Sequence, residues 1–97
     1  MTSIWKFPLS VDDRSYAVVL MPREATVISA QMQLGRLCVW AHVDTNAVVE
    51  KRTFRVFGTG WEMPSDFTEI YRFIATVQDE PFVWHVYEQQ PLKGGAR

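Results

Sequence analysis

Apolar and polar residues alternate with a period of two over most of this chain, which predicts strands rather than helices. After Thr26, the residues Ile28, Ala30 and Met32 alternate with Ser29, Gln31 and Gln33, the pattern of a half-buried strand with one polar face. Leu34-Gly35-Arg36 supplies a short turn. The stretch 37–44 reads as the returning strand, with Leu37, Val39, Ala41 and Val43 on one face and Cys38, Trp40 and His42 on the other, and Asp44-Thr45-Asn46 breaks it. From 49 to 57 the chain is extended again, Phe54 and Val56 facing one way and Thr53, Arg55 and Phe57 the other; it ends in Gly58-Thr59-Gly60. The segment 61–66, with Pro64, is too short and broken for a helix and reads as a loop.

The stretch 68–78 is compatible with a helix by local propensity, but its β-branched and aromatic run from Ile70 to Val77 predicts a strand. Asp79-Glu80-Pro81 turns it, and 82–88 is the last strand, with Val83, His85 and Tyr87 opposite Phe82, Trp84 and Val86. Two shorter strands come first: 4–11, with Trp5, Phe7 and Leu9 on one face, and 16–21, closed by Pro22. About seven short strands at hairpin spacing predict an all-β fold, a small sandwich or barrel with mainly antiparallel neighbours. We expect a single β domain over 1–88 and a flexible C-terminal tail over 89–97, where Pro91, Gly94 and Gly95 stand.

Composition narrows the function classes. The chain has 97 residues, 47% hydrophobic and 22% charged, ordinary for one globular domain with a modest core. Aromatic residues make up 13% with four Trp, more large rings than a small core holds, so some belong to an interface or a ligand pocket. The formal net charge of -1 provides no basic stripe, which argues against long nucleic acid as a partner. The single cysteine, Cys38, excludes a disulfide within the chain and a Cys-based metal site, and suits a reducing cytoplasm. The first residues lack a signal-peptide core, and no apolar run approaches the roughly 18 residues of a membrane span; we expect a cytoplasmic protein without a membrane partner.

Catalytic motifs are absent from the sequence. His42 and His85 sit inside predicted strands and have no third ligand at metal-binding spacing. There is no nucleophile elbow, Walker loop or His-Glu-x-x-His. Asp12 and Asp13, like Asp79 and Glu80, fall in turns, and nothing brings Asp44, Glu62 and Glu88 together. The expectation is a binding protein without enzyme activity, cofactor or metal.

The segment with most chemistry is 51–61, Lys51-Arg52-Thr53-Phe54-Arg55-Val56-Phe57-Gly58-Thr59-Gly60-Trp61. Two glycines around a threonine let backbone N–H groups approach an anion, an arginine can pair with phosphate through two hydrogen bonds, and an indole can stack on a base. Arg52 and Arg55 are the candidate phosphate contacts, Gly58, Thr59 and Gly60 the candidate cradle, and Trp61 or Trp5 the candidate stacking face. The same turn is explained as well by a need for positive φ, and a strand arginine by solvation. Most aromatics suit a small β core; Trp61, in a loop, suits contact surface better.

The segments Ile4-Trp5-Lys6-Phe7-Pro8-Leu9, Trp40-Ala41-His42-Val43-Asp44, Phe54-Arg55-Val56-Phe57-Gly58-Thr59-Gly60 and Phe82-Val83-Trp84-His85-Val86-Tyr87-Glu88 resemble a family of short proteins of unknown function encoded by tailed bacteriophages and prophages. Family members commonly carry a His after the Gly-Thr-Gly turn, where this chain has Trp61. The resemblance implies a setting, the cytoplasm of an infected bacterium, in which small proteins without catalytic motifs often serve counter-defence. There it implies a sponge: a homo-oligomer that sequesters a cyclic di- or trinucleotide or related immune signal. The alternatives are an inhibitor that binds a host defence protein, which needs only an aromatic and charged patch, and a virion or assembly component.

Overall fold

The computed structural model describes residues 1–90. Among them the chain forms β1 (Thr2–Pro8), β2 (Tyr16–Pro22), β3 (Thr26–Gln33), β4 (Arg36–Asp44), β5 (Val49–Gly58), one turn of helix α1 (Phe67–Ile70), β6 (Tyr71–Asp79) and β7 (Phe82–Gln89). The strands build two antiparallel sheets, ordered β1-β4-β3 and β2-β5-β7-β6. They pack face to face as a sandwich, with β3 beside β6 along one margin and β1 and β2 as the remaining edge strands. The all-β expectation holds.

Local chemistry fixes the register. At the β3–β4 hairpin Leu34 and Gly35 both have positive φ, 51° and 79°, the geometry of a two-residue turn that matches the twist of its strands. It sets Gln33 opposite Arg36 and so places Ala30 opposite Val39. Leu37, Val39, Ala41 and Val43 of β4 then face Ala17 and Met21 of β2, Phe54 and Val56 of β5, Val77 of β6 and Val86 of β7 in one apolar cluster. Phe54, Met21, Val39 and Val86 are fully buried, and each such side chain contributes about 1.5–3 kcal/mol of transfer free energy.

The second sheet is also covered on its outer face. Phe57 and Tyr71 are buried there with Phe67 of α1, and Tyr16 and Tyr87 pack against them. Phe67 stacks on Tyr71 at 4.7 Å and meets Phe57 and Tyr87 edge-on at 5.0 and 4.7 Å, arrangements favoured by the ring quadrupole. The loop after β5 therefore folds back over the sheet and is pinned by one aromatic ring.

The structure differs from the sequence reading at several points, each for a local reason. A β-bulge between Val27 and Ser29 shifts the face on which side chains point, so Val27 packs on the core while Ile28 is 46% exposed. The segment read as strand from residue 68 opens with α1 and becomes strand at Tyr71. β1 ends at Pro8, although the Leu9 N–H still donates to the Leu37 carbonyl at 2.9 Å. The tail placed from residue 89 begins too early: Gln89 pairs with Tyr71 in the sheet and the Gln90 N–H donates to the Ile70 carbonyl at 2.7 Å. The rest of that tail, 91–97, lies outside the described residues.

One polar group lies within the apolar interior. Arg52 is 6% and Glu88 2% exposed; the Arg52 Nε donates to Glu88 Oε2, and the Arg72 Nη2 donates to Glu88 Oε1 at 3.2 Å. Removing one partner of a buried pair leaves an uncompensated charge. Glu88→Ala is therefore expected to destabilise the fold by about 3–5 kcal/mol, whereas Arg72→Ala, on a side chain 55% exposed, costs about 1 kcal/mol or less; urea titration of the two variants checks the order.

Candidate ligand-binding site

β5 presents its residues to two faces in turn, and that alternation separates the residues expected to act together. Arg52 points between the sheets to Glu88, while Arg55, three residues on, points to the outer face. Residues an odd number of positions apart on a strand cannot share a face. Arg52 is therefore a core residue, not a phosphate contact.

Arg55 sits in an aromatic enclosure. Its guanidinium carbon lies 4.0 Å from the Tyr16 ring centroid, 4.7 Å from that of Phe57 and 5.8 Å from that of Tyr71. Nη1 donates to the Tyr16 hydroxyl and Nη2 to the Arg14 carbonyl, both at 3.2 Å; Nε is buried without a hydrogen-bond partner. Burial, then the neighbouring Tyr16 hydroxyl, pushes the Tyr71 phenol up. A cation placed over several ring faces is attracted by their quadrupoles, and these contacts occupy the group that was to meet phosphate.

The Gly58-Thr59-Gly60 turn is likewise committed to the fold. The Thr59 N–H donates to the Val83 carbonyl at 3.3 Å and the Trp61 N–H to the Gly58 carbonyl at 3.2 Å, so these two amides do not converge on an anion. Gly60 has φ 90°, which favours glycine. At Gly58 a Cβ would stand 2.8 Å from Trp61 Cε2 and Nε1: the position is glycine so that the indole can lie against the backbone. The Thr59 hydroxyl is 2.8 Å from His85 Nε2, and the Thr76 hydroxyl is 3.0 Å from His85 Nδ1. His85 is thus held by two hydroxyls, and among the described residues no group of His, Cys, Asp and Glu is arranged for a metal ion.

What remains of the predicted site gathers around Trp61. Its ring is 5.8 Å from that of Trp84, edge-on, and Trp84 in turn stacks on Phe82 at 5.4 Å. This aromatic wall stands between two clefts at one end of the sandwich. The smaller, about 320 Å³, is lined by Gly58, Thr59, Trp61, Phe82, Val83 and Trp84 with Pro81. The larger, about 370 Å³, has an apolar floor of Met32, Leu37, Val56, Trp61 and Trp84, and a rim that includes Asp12, Asp13 and Asp79. Both lie in the lower range of small-molecule sites. No arginine or lysine lines either one. Trp5, the other candidate stacking residue, stands on β1 beside Phe7, 6.4 Å between rings, and lines neither.

The acidic rim was readable in the sequence only as turn residues. Asp12 Oδ1 accepts the N–H groups of Arg14 and Tyr16, each at 2.9 Å, and those bonds, that of Tyr16 first, hold its carboxyl below the usual carboxylate range. Because the folded value is lowered, this contribution is fully present above about pH 4 and fades as pH falls below it. Asp79 Oδ2 accepts the Trp84 Nε1–H at 2.9 Å, which fixes the indole in the wall. The signal that could have found this cleft is the tryptophan three residues after the turn Asp79-Glu80-Pro81, since a turn carboxylate is the near partner for a strand indole N–H.

The chain belongs to the family of a domain of unknown function, DUF7352, whose model matches residues 1–95. Neither a curated protein nor a solved structure matches it. Among the described residues no helix is long and apolar enough to cross a membrane.

Two outcomes separate fold from site here. Gly58→Ala is expected to swing Trp61 off Trp84 at a cost of roughly 1 kcal/mol, seen as a changed tryptophan fluorescence maximum and near-ultraviolet dichroism with the fold intact. Arg55→Ala is expected to lower stability by roughly 1–3 kcal/mol through lost cation–π contacts and hydrogen bonds, measured by urea titration.

Proposed function

We propose that the protein is a non-catalytic binding module whose recognition site is the Trp61–Trp84 end of the sandwich, and that its target is a protein presenting a basic side chain. The observation that carries this reading is the lining of the larger cleft: apolar, indole-walled, with Asp12, Asp13 and Asp79 and no arginine or lysine among its lining residues. An arginine or lysine brings an apolar stem and a positive head, which match the floor and the rim in turn. Arg and aromatic anchors dominate protein–protein interfaces where they fill such pockets. In the phage setting, which rests on sequence resemblance alone, the partner would be a host defence factor held in an inactive complex.

The sponge reading has one observation in its favour. Trp61 and Phe82 are 53% and 55% exposed, and both line the smaller cleft, where a base could stack for about 1–3 kcal/mol. Its phosphates, however, would find Arg52 and Arg55 already engaged and the nearby rim negative. The cationic target is therefore preferred.

A thermal-shift and calorimetric panel distinguishes the two, because a ligand that binds only the folded state raises the melting temperature. It would contain cyclic di- and trinucleotides, Nα-acetyl-argininamide and short Arg- and Lys-containing peptides. We expect salt-sensitive binding of the basic peptides, weakened at least tenfold by Asp13→Lys on an exposed residue. A shift with a cyclic nucleotide and none with the basic probes would overturn this reading and restore the sponge.

A further inference from the structure

Each sheet has two edge strands, and an edge presents free N–H and C=O groups to any chain that can pair with them. The order of the strands makes β1, β3, β2 and β6 the edges. Three carry a recognisable guard. β1 has the exposed Lys6 at its middle, β3 is interrupted by its bulge between Val27 and Ser29, and β6 has both the exposed Arg72 and a bulge between Phe73 and Ala75. β3 and β6 also lie beside one another. β2, Tyr-Ala-Val-Val-Leu-Met-Pro, has no charge and no register shift against β5, and its Val18 and Leu20 are each 59% exposed.

The free groups on β2 can be identified. Val56 donates to the Ser15 carbonyl at 3.0 Å and Arg23 to the Val48 carbonyl at 2.8 Å. Odd-numbered residues of β2 therefore aim their backbone groups at β5. The even-numbered ones aim outward, and the Tyr16 carbonyl does so, accepting the Asp12 N–H at 2.8 Å. At the other end Pro22 has no N–H to give. Between these two stops, the N–H and C=O groups of Val18 and Leu20 face the open edge.

We propose that β2 pairs with β2 of a second copy of this chain, antiparallel and about a two-fold axis through Val19. In that register Val18 lies opposite the partner's Leu20 as a hydrogen-bonded pair, repeated by symmetry, and each pair exchanges two bonds. Donors meet acceptors at every free position, so the local charges of the edge are self-complementary, as a two-fold interface requires. The same register places Val18 and Leu20 of both copies side by side on one face, which shields the facing sides of these exposed apolar pairs from water. The two four-stranded sheets become one continuous sheet. A standard interface buries about 800 Å² per partner, more than one edge strand supplies, so the dimer is a concentration-dependent one.

Val19 sits on the axis as a non-hydrogen-bonded pair with its own copy, with Cα atoms about 4.5 Å apart, within the range that a disulfide spans. The test combines sedimentation equilibrium from about 1 to 500 µM, a span set by the interface size, with oxidative cross-linking of Val19→Cys and, separately, Val18→Cys. We expect reversible dimerisation, weakened at least tenfold by Leu20→Lys in a variant with unchanged circular dichroism and melting temperature, and a disulfide dimer from Val19→Cys but not from Val18→Cys, which faces Leu20 instead. A monomer throughout the range, a dimer indifferent to Leu20→Lys, or equal cross-linking at both positions would each overturn the proposal. These readouts are independent of any ligand at the Trp61 clefts.

Discussion

Everything else in this domain follows from the two-residue repeat of β5, whose second half is covered on both faces of its sheet. From Arg52 to Phe57 the strand has no fully exposed side chain. Arg52, Phe54 and Val56 go to the interior between the sheets, and Thr53, Arg55 and Phe57 go to the outer face beneath α1. Two arginines on such a strand must each be neutralised or stabilised where they stand, because an isolated charge in an apolar setting costs many kcal/mol. The chain does so in two different ways. Arg52 receives a carboxylate, Glu88, which Arg72 also engages; Arg55 receives aromatic faces, a hydroxyl and a carbonyl. Neither is then free to serve a ligand.

The outer face also accounts for the surplus of aromatic residues. The inner faces bury Val, Ala, Leu, Met and one Phe, with Phe7 and Trp84 packed at the margin of that cluster, which leaves little room there for the other rings. Phe57, Phe67, Tyr71, Tyr16 and Tyr87 are placed on the far side instead, where a back-folded loop and a single helical turn make a second cluster. This explains the order of elements after β5. The long connection returns across the sheet before β6 begins, and Phe67 is the residue that fastens it.

Much of the architecture was legible from alternation alone. The β4 pattern of Leu37, Val39, Ala41 and Val43 named the core face correctly, and the Gly35 and Glu80-Pro81 turns marked two hairpins. The failures are those a period of two cannot signal. A bulge inserts one residue and reverses the faces, which is why Ile28 replaced Val27 in the expected core. At the site, Gly58, Thr59, Gly60 and Trp61 do stand together, since they are neighbours in sequence. Arg52, Arg55 and Trp5 do not join them, and parity already forbade the first two from sharing a face. The carboxylates of the larger cleft come from the loop before β2 and from the end of β6, far apart in the chain, and spacing does not encode that they meet.

The Trp61–Trp84 end differs in kind from the remainder of the molecule. The buried large side chains elsewhere either fill the core or fasten the loop. Trp61 does neither: it is half-exposed, and the backbone has given up a side chain at Gly58 to let it rest where it is. Trp84 is anchored beside it by the Asp79 carboxylate, and Phe82 extends the same wall outward. A glycine, a part-buried indole hydrogen bond and two exposed rings hold this wall in place, and of its rings Trp84 also packs against the core. Exposed aromatic rings held in a fixed arrangement are where recognition is to be sought. The larger cleft beside it is lined by three carboxylates, and no arginine or lysine lines either cleft. Carboxylates over an apolar floor attract a cation and repel a phosphate by the same interaction, which is the argument for the cationic target proposed above.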